Sequence, residues 1–280
     1  MNEDPALYSK NCQMQRFDAN YFLTTYLSQV NVKDNAAVLD VGAGDGLVTL
    51  EVLLPRLPNF KKLVVSDKSK KMVDFAKNRF HDERIETVQM DIVDYHKSFK
   101  DYFDHIFSFY CLNNVPEEKT PKAMKNIFDM LKPGGTFLAT LIVNSSFFDI
   151  CETMVKDNKW PKAMADYAKS FSPYRGLDNP EDKLRLFLEH AGFDVQICKY
   201  EKREFIYGGL KHFLDFGLAV VPILKVDSQD ERTKFVADFK ETIENCNELR
   251  IENSSEGEKV HFFYSALVVC ASKPVRVCVT

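Results

Sequence analysis

The chain has 280 residues, 45% hydrophobic and 28% charged, enough apolar material to bury a proper core in one large domain. A net charge of −4 and a pI near 5.9, with the 37 basic residues dispersed, leave no electrostatic footprint for a nucleic-acid backbone and exclude that class of partner. The start, MNEDPALYSKNC, carries acids where a secretory leader needs basic and then apolar residues, and no apolar run reaches the roughly 18 residues of a membrane span; a soluble, cytoplasmic protein is expected.

The elements follow in chain order. Residues 17–30 carry apolar residues at helical spacing, AAVLDVG (36–42) reads as a buried strand, and GLVTLEVLL (46–54) as a helix stopped by Pro55. The pattern repeats with strand KKLVVSD (61–67), helix SKKMVDFAKNRF (69–80) capped by Ser69, and strand RIETVQMD (84–91). Strand FDHIFSFYCL (103–112) precedes a helix from Thr120 that Lys132-Pro133-Gly134-Gly135 ends abruptly, and TFLATLIV (136–143) is a fifth strand. Repeated strand-helix-strand units mean a doubly wound, mostly parallel sheet with helices on both faces. Beyond Val143 the rhythm loosens. Residues 144–190 are helical and aromatic, FDVQICKY (193–200) is a strand, 208–250 is mostly helical, and VHFFYSALVVCA (260–271) closes the chain. The expectation is one α/β domain spanning 1–280 with a mostly parallel, seven-stranded sheet. Its cofactor half covers about 1–143, and a helical substrate cap comes from insertions at about 144–190 and 204–258.

Seven scattered cysteines, Cys12, Cys111, Cys151, Cys198, Cys246, Cys270 and Cys278, contain no C-x-x-C, and the six histidines form no H-E-x-x-H; free thiols and no metal are expected.

Ligands of open α/β sheets bind beyond the carboxyl ends of the strands, so the strand ends carry the information. Gly42, Gly44 and Gly46 spell G-x-G-x-G, with Leu47 where a dinucleotide fingerprint requires its third glycine. Asp40 precedes this turn, Asp67 ends the second strand and Asp91 the third. A carboxylate at Asp67 can accept from both ribose hydroxyls of either a dinucleotide or S-adenosylmethionine. Asp91 can accept from an adenine amino group, with the N–H of Ile92 reaching a ring nitrogen. Lys68 and Phe109, at the ends of strands two and four, complete the cofactor candidates. A sulfonium ligand has no pyrophosphate, so the shorter glycine spacing fits it. Each feature alone has a plain structural reading, a tight turn or a solvated strand end; in register on successive strands they point to a methyltransferase site.

VLDVGAGDG, VVSDKSKKMV, VQMDIVD and FDHIFSFYCLNNV together resemble a class I S-adenosylmethionine-dependent methyltransferase. LYSKNCQMQRFDA, KNIFDMLKPGG, FSPY (171–174), LEHAGFDV and FFYSALVVCASK extend the resemblance, in order and spacing, to the juvenile hormone acid methyltransferases of insects, over nearly the whole chain. The resemblance implies transfer of the sulfonium methyl to the carboxylate of a sesquiterpenoid acid such as farnesoic acid. Such an acid is already ionised at pH 7, so catalysis needs positioning and a dry pocket rather than a base. Gln15 matches the family's N-terminal glutamine, whose amide can donate to that carboxylate, with Tyr8 and Arg16 near enough to help close the lid. Asn113-Asn114 departs from the family's His-Trp: Asn114 can offer a donor but no apolar wall, and the pair equally reads as a turn before Pro116. Phe147, Phe148, Trp160, Tyr174 and Phe213 are candidates for lining the pocket or, equally, plain core. Three other readings stay open: a methyltransferase for another acceptor such as a phenol, a silent cofactor- or terpenoid-binding relative, and, more distantly, a nicotinamide dehydrogenase. A homodimer also stays open.

Overall fold

The computed structural model describes residues 4–94, 96–164, 172–221, 228–255 and 257–275. In chain order these are α1 (Pro5–Asn11), α2 (Gln13–Val30), β1 (Ala37–Val41), β2 (Lys62–Asp67), α3 (Lys70–Lys77), β3 (Ile85–Gln89), β4 (Phe103–Phe109), α4 (Thr120–Met130), β5 (Leu131–Ser145), α5 (Ser146–Asp157), α6 (Pro161–Met164), α7 (Pro180–Ala191), β6 (Asp194–Tyr207), α8 (Leu210–Val220), α9 (Gln229–Glu244), β7 (Arg250–Ser254) and β8 (Gly257–Ser272). Among the described residues no helix is long and apolar enough to cross a membrane.

The sheet runs β3-β2-β1-β4-β5-β8-β6. The first five strands are parallel, and β8 lies antiparallel between β5 and β6. The strand order reverses between β1 and β4, which makes the cleft beyond their carboxyl ends the switch point where a ligand finds room. β7 adds an eighth strand to the seven expected. It pairs with the first part of β8, where β5 has already left, as with Arg250 opposite His261.

Period-two alternation sorts the strand side chains into two layers. Val38, Leu138, Ala266 and Val268 face a layer closed by α2, the segment 47–57, α5, α8 and α9. Leu39, Ala139, Leu267 and Val269 face a layer closed by α4 and α7. The first layer is rich in aromatic rings; Phe147 meets Phe213, Phe216 and Phe239 edge-on, with centroids 6.4, 5.5 and 6.1 Å apart. Full burial of each ring contributes about 1.5–3 kcal/mol.

Three segments differ from the sequence reading. The polar start forms α1, because Asp4 accepts from the N–H groups of Ala6 and Leu7 and Pro5 occupies the first turn. Pro55 does not cut its helix short: Thr49–Leu53 widens into a π-turn and Leu54–Arg56 tightens into a 3-10 turn, absorbing the missing donor. The Lys132–Gly135 run ends α4 as expected and then forms an irregularity inside β5, between the pairs Phe103/Leu131 and His105/Thr136.

Candidate functional site

The glycine turn after β1 is the floor of the switch-point cleft, and its three glycines do different things. A Cβ on Gly42 would stand 2.0 Å from Cys111 Sγ, and one on Gly46 would stand 3.0 Å from the Phe80 ring and 3.1 Å from Ala76. These two serve the protein's own packing, against the β4 end and α3. At Gly44 a Cβ would meet only the Tyr8 ring, at 3.4 Å, so this is the position where the backbone is open to a ligand.

Asp67, at the end of β2, is held over this turn: Gly44 N–H donates to Oδ2 at 3.0 Å and Ser69 N–H to Oδ1 at 2.8 Å. Burial raises its carboxyl against these two bonds. Each carboxylate oxygen keeps a lone pair beyond these two bonds, free to accept from a hydroxyl. Lys68 beside it is exposed, and its carbonyl accepts from Gln89 at 3.2 Å.

Asp40 is 1% exposed; Oδ2 accepts from the Thr49 hydroxyl at 2.6 Å, and Oδ1 is buried without a partner. Burial pushes its carboxyl from 3.8 up to about 7, with the Thr49 bond opposing and the Asp67 charge adding. The folded state therefore holds a proton that the unfolded chain has released between about pH 4 and 7, and stability falls as pH rises across that window. Asp40→Asn removes this pH-dependent cost. Its unfolding free energy relative to wild type is expected to rise from about pH 5 to about pH 7, by roughly 1.4 kcal/mol per pH unit, and to level off above; parallel profiles in chemical denaturation would refute the buried acid.

Asp91 turns back on its own loop: its side chain accepts from Val93 N–H at 3.0 Å, and its carbonyl from Asp94 N–H at 3.0 Å. Asn126, on α4, fixes that loop by donating to the carbonyls of Ile92 at 2.8 Å and Asp94 at 3.0 Å. Ile92 is buried, and Phe109 is partly buried, stacked 6.4 Å from Phe107.

The N-terminal helices cover the cleft. Arg79 ties the cover to the floor, with Nη2 2.9 Å from buried Asp45 and 2.5 Å from the Ser9 hydroxyl of α1, while Nε donates to the Asp45 carbonyl at 2.8 Å. Arg16 pairs with Glu51 at 3.0 Å, consistent with the lid role. No feature of the sequence pattern singled out Asp45 with Arg79, because the partners lie on different elements.

Gln15 and Asp18 lie one turn apart on the buried face of α2. Gln15 Oε1 is buried with no partner. Asp18 is fully buried; it accepts from the Tyr110 hydroxyl and from Arg203, with Nη2 at 2.8 Å and Nε at 3.3 Å. Tyr110 follows β4 directly, with φ +53°, so its ring turns under α2.

The structure divides the acceptor candidates. Asn113 Oδ1 accepts from Ile142 N–H at 3.3 Å, and exposed Asn114 donates to the carbonyls of Tyr110 at 3.4 Å and Cys111 at 3.2 Å. Asn114 thus braces its own turn, and Asn113 ties that turn to β5. Phe147 and Phe213 pack in the aromatic layer beside α2, and Phe148 is buried at the start of α5. Trp160 donates to Asp238 at 3.0 Å and lines a cleft of about 380 Å³ between α5 and α9 whose acids include Asp149, Asp157, Asp238, Glu241 and Glu248. That cleft repels an acid. Tyr174 belongs to the other layer, with α4 and α7; of the FSPY motif, Phe171 lies outside the described residues.

Comparison with known proteins agrees with this geometry. A methyltransferase-domain profile matches residues 38–135. Among solved structures, the Bacillus subtilis protein YcgJ is similar at TM-score 0.56 and 16% identity, covering 91% of this chain and 98% of its own. The [4+2]-cyclase SpnF is similar at TM-score 0.55 and 17% identity, covering 92% and 82%. The fold is that of methyltransferase-like structures, and residues 38–135 carry a methyltransferase domain. Over nearly its whole length the chain is similar to juvenile hormone acid O-methyltransferases. It is 29% identical to the juvenile hormone acid O-methyltransferase of Drosophila melanogaster over 276 residues (96% of this chain, 91% of the relative), and 28% identical to that of Bombyx mori over 273 residues (95% and 96%).

Proposed function

We propose that this protein transfers the methyl group of S-adenosylmethionine to the carboxylate of an apolar, sesquiterpenoid-like acid. The observation that carries the reading is Gln15: an amide on the lid helix, 9% exposed, with a buried oxygen that nothing satisfies. A half-turn of the terminal amide presents its N–H₂ at the same point, a donor for a desolvated carboxylate. The names of the two insect relatives support the same chemistry.

The open face at Gly44, the anchored Asp67, the unpartnered oxygen of Asp40 and the Asp91–Ile92 loop are the groups that would hold the cofactor, which supplies an electrophilic methyl when bound. Tyr8 and α1 cover the turn and exclude water. The acceptor carboxylate is ionised at neutral pH, so the protein has only to desolvate and aim it. We assign the cofactor half to about residues 1–143 and the acceptor cap to the insertions near 144–190 and 204–258, whose α5, α8 and α9 close the aromatic layer. Asn114 Nδ2 is engaged in its own turn and Asn113 Oδ1 on β5, so the reading gives the carboxylate to Gln15.

The test is transfer of labelled methyl to farnesoic acid, juvenile hormone acid and straight-chain fatty acids of matching length. Turnover of the terpenoid acids is expected, and Gln15→Ala is expected to cut the rate about tenfold or more, the value of one hydrogen bond to a charged group, with cofactor affinity unchanged. Measured cofactor binding with no turnover of any acid would leave the silent binding protein as the answer.

A further inference from the structure

Two further hydroxyls sit in the same layer as Gln15 with nothing to bind. Tyr207, the last residue of β6, is 3% exposed and Tyr264, in the middle of β8, is 5% exposed; both Oη atoms are buried and unpartnered. Strand alternation puts them on one face. Arg203 and Tyr207 are two β6 pleats apart, Arg203 stands directly opposite Tyr264, and Tyr207 stands opposite Val260. Both rings belong to the aromatic layer beneath α2: Tyr207 packs 5.3 Å from Phe213 and 5.4 Å from Phe216, and Tyr264 packs 5.2 Å from Phe262.

The two phenols flank one ring: Phe262 lies 6.1 Å from the Tyr207 ring and 5.2 Å from the Tyr264 ring. Burial drives both upward, and the next contributions to Tyr207 come from Tyr264 and Asp18, while the next contribution to Tyr264 comes from Asp18. Asp18 itself is held by Tyr110 and Arg203, and the Tyr264 hydroxyl faces both Asp18 and Arg203 without meeting hydrogen-bond geometry with either. At any ordinary pH both phenols stay protonated and can only donate or accept as neutral hydroxyls.

A protein buries a polar atom without a partner at a cost, and three such atoms in one layer, contributed by α2, β6 and β8, mark a place where something else supplies the partners. The Tyr207 and Tyr264 hydroxyls and the turned Gln15 amide can all donate to one arriving group; a carboxylate, with about four acceptor sites and no proton, matches three such donors. Resting on the carboxyl-methyltransferase reading, we propose that the Tyr207 and Tyr264 hydroxyls, together with Gln15, grip the acceptor carboxylate and do the work that Asn114, folded into its own turn, cannot do.

The test uses Tyr207→Phe, Tyr264→Phe and the double variant of the full chain. Each is followed by thermal melting without ligands, by the cofactor dissociation constant, and by kcat and KM for the best acid of the panel. Because the deleted hydroxyls satisfy nothing in the free protein, melting temperatures are expected to stay or rise. The KM for the acid rises about tenfold or more for each deletion, the value of a hydrogen bond to a charged group, while cofactor affinity is unchanged. Wild-type turnover with unchanged KM in all three variants overturns this assignment and leaves the function standing. A clear fall in the ligand-free melting temperature also overturns it, by showing that the hydroxyls are bound within the fold, directly or through buried water. Failure of the wild type to methylate any acid removes the function, and this assignment with it.

Discussion

Asp18→Ala is expected to destabilise the protein by about 3–5 kcal/mol, the cost of breaking a buried ion pair from one side. The magnitude follows from what is left behind. The Arg203 guanidinium, 12% exposed, keeps its ring contact with Tyr21, 3.7 Å from the centroid, and loses its only counter-ion described, while the Tyr110 hydroxyl loses its acceptor. Chemical denaturation of Asp18→Ala, Arg203→Met and the double variant separates the pair from its desolvation. The double variant is expected to lie well above Asp18→Ala, because removing both charges leaves no orphan. Strict additivity would mean that the two side chains do not interact.

The second large effect falls on Gly42. An alanine there puts Cβ 2.0 Å from Cys111 Sγ and 2.4 Å from Cys111 Cβ, at a φ of +71°. The backbone conformation alone costs an L-residue about 1–2 kcal/mol, and the overlap forces the β1 turn away from the β4 end. Gly42→Ala is therefore expected to lose several degrees of melting temperature and most of its cofactor affinity. Adding Cys111→Gly removes both overlapping atoms and should restore what the clash took, leaving only the conformational cost. Should the double variant melt no higher than Gly42→Ala, crowding against Cys111 is not the reason for the glycine. Gly44→Ala is the contrast: with only the edge of the Tyr8 ring at 3.4 Å, its packing cost is small.

The parallel half of the fold was legible because its signals are local. Alternating apolar runs, the cap Ser69 and the Pro-Gly-Gly stop each act within a few residues, and the strands, α3 and α4 lie where those signals put them. β7 was not legible: RIENS is exposed throughout and is a strand only because β8 runs past the end of β5 and leaves an edge to pair. The same division runs through the site. Asp40, Asp67 and the glycines announce themselves by their place at strand ends. Asp18–Arg203, Arg79–Asp45, and Tyr207 beside Tyr264 join residues 34 to 185 positions apart, or facing strands, and no spacing rule reaches them. At Asn113-Asn114 the sequence admits both an acceptor role and a turn; in the fold Asn114 donates within the turn and Asn113 accepts from β5.

The cysteine wedged against Gly42 bears on how such a site survives its own chemistry. A donor strong enough to methylate an oxygen would alkylate a thiolate sooner, and a cysteine beside it is a target for self-inactivation. Burial, helped by the Asp67 charge, pushes the Cys111 thiol up to about 12, and burial with Asp45 does the same to Cys12 beneath the lid. At neutral pH both sulfurs stay protonated. The apolar packing that shapes the cleft thereby keeps its nearest soft nucleophiles silent, so that the weaker oxygen nucleophile brought by the acceptor meets no competition from the protein.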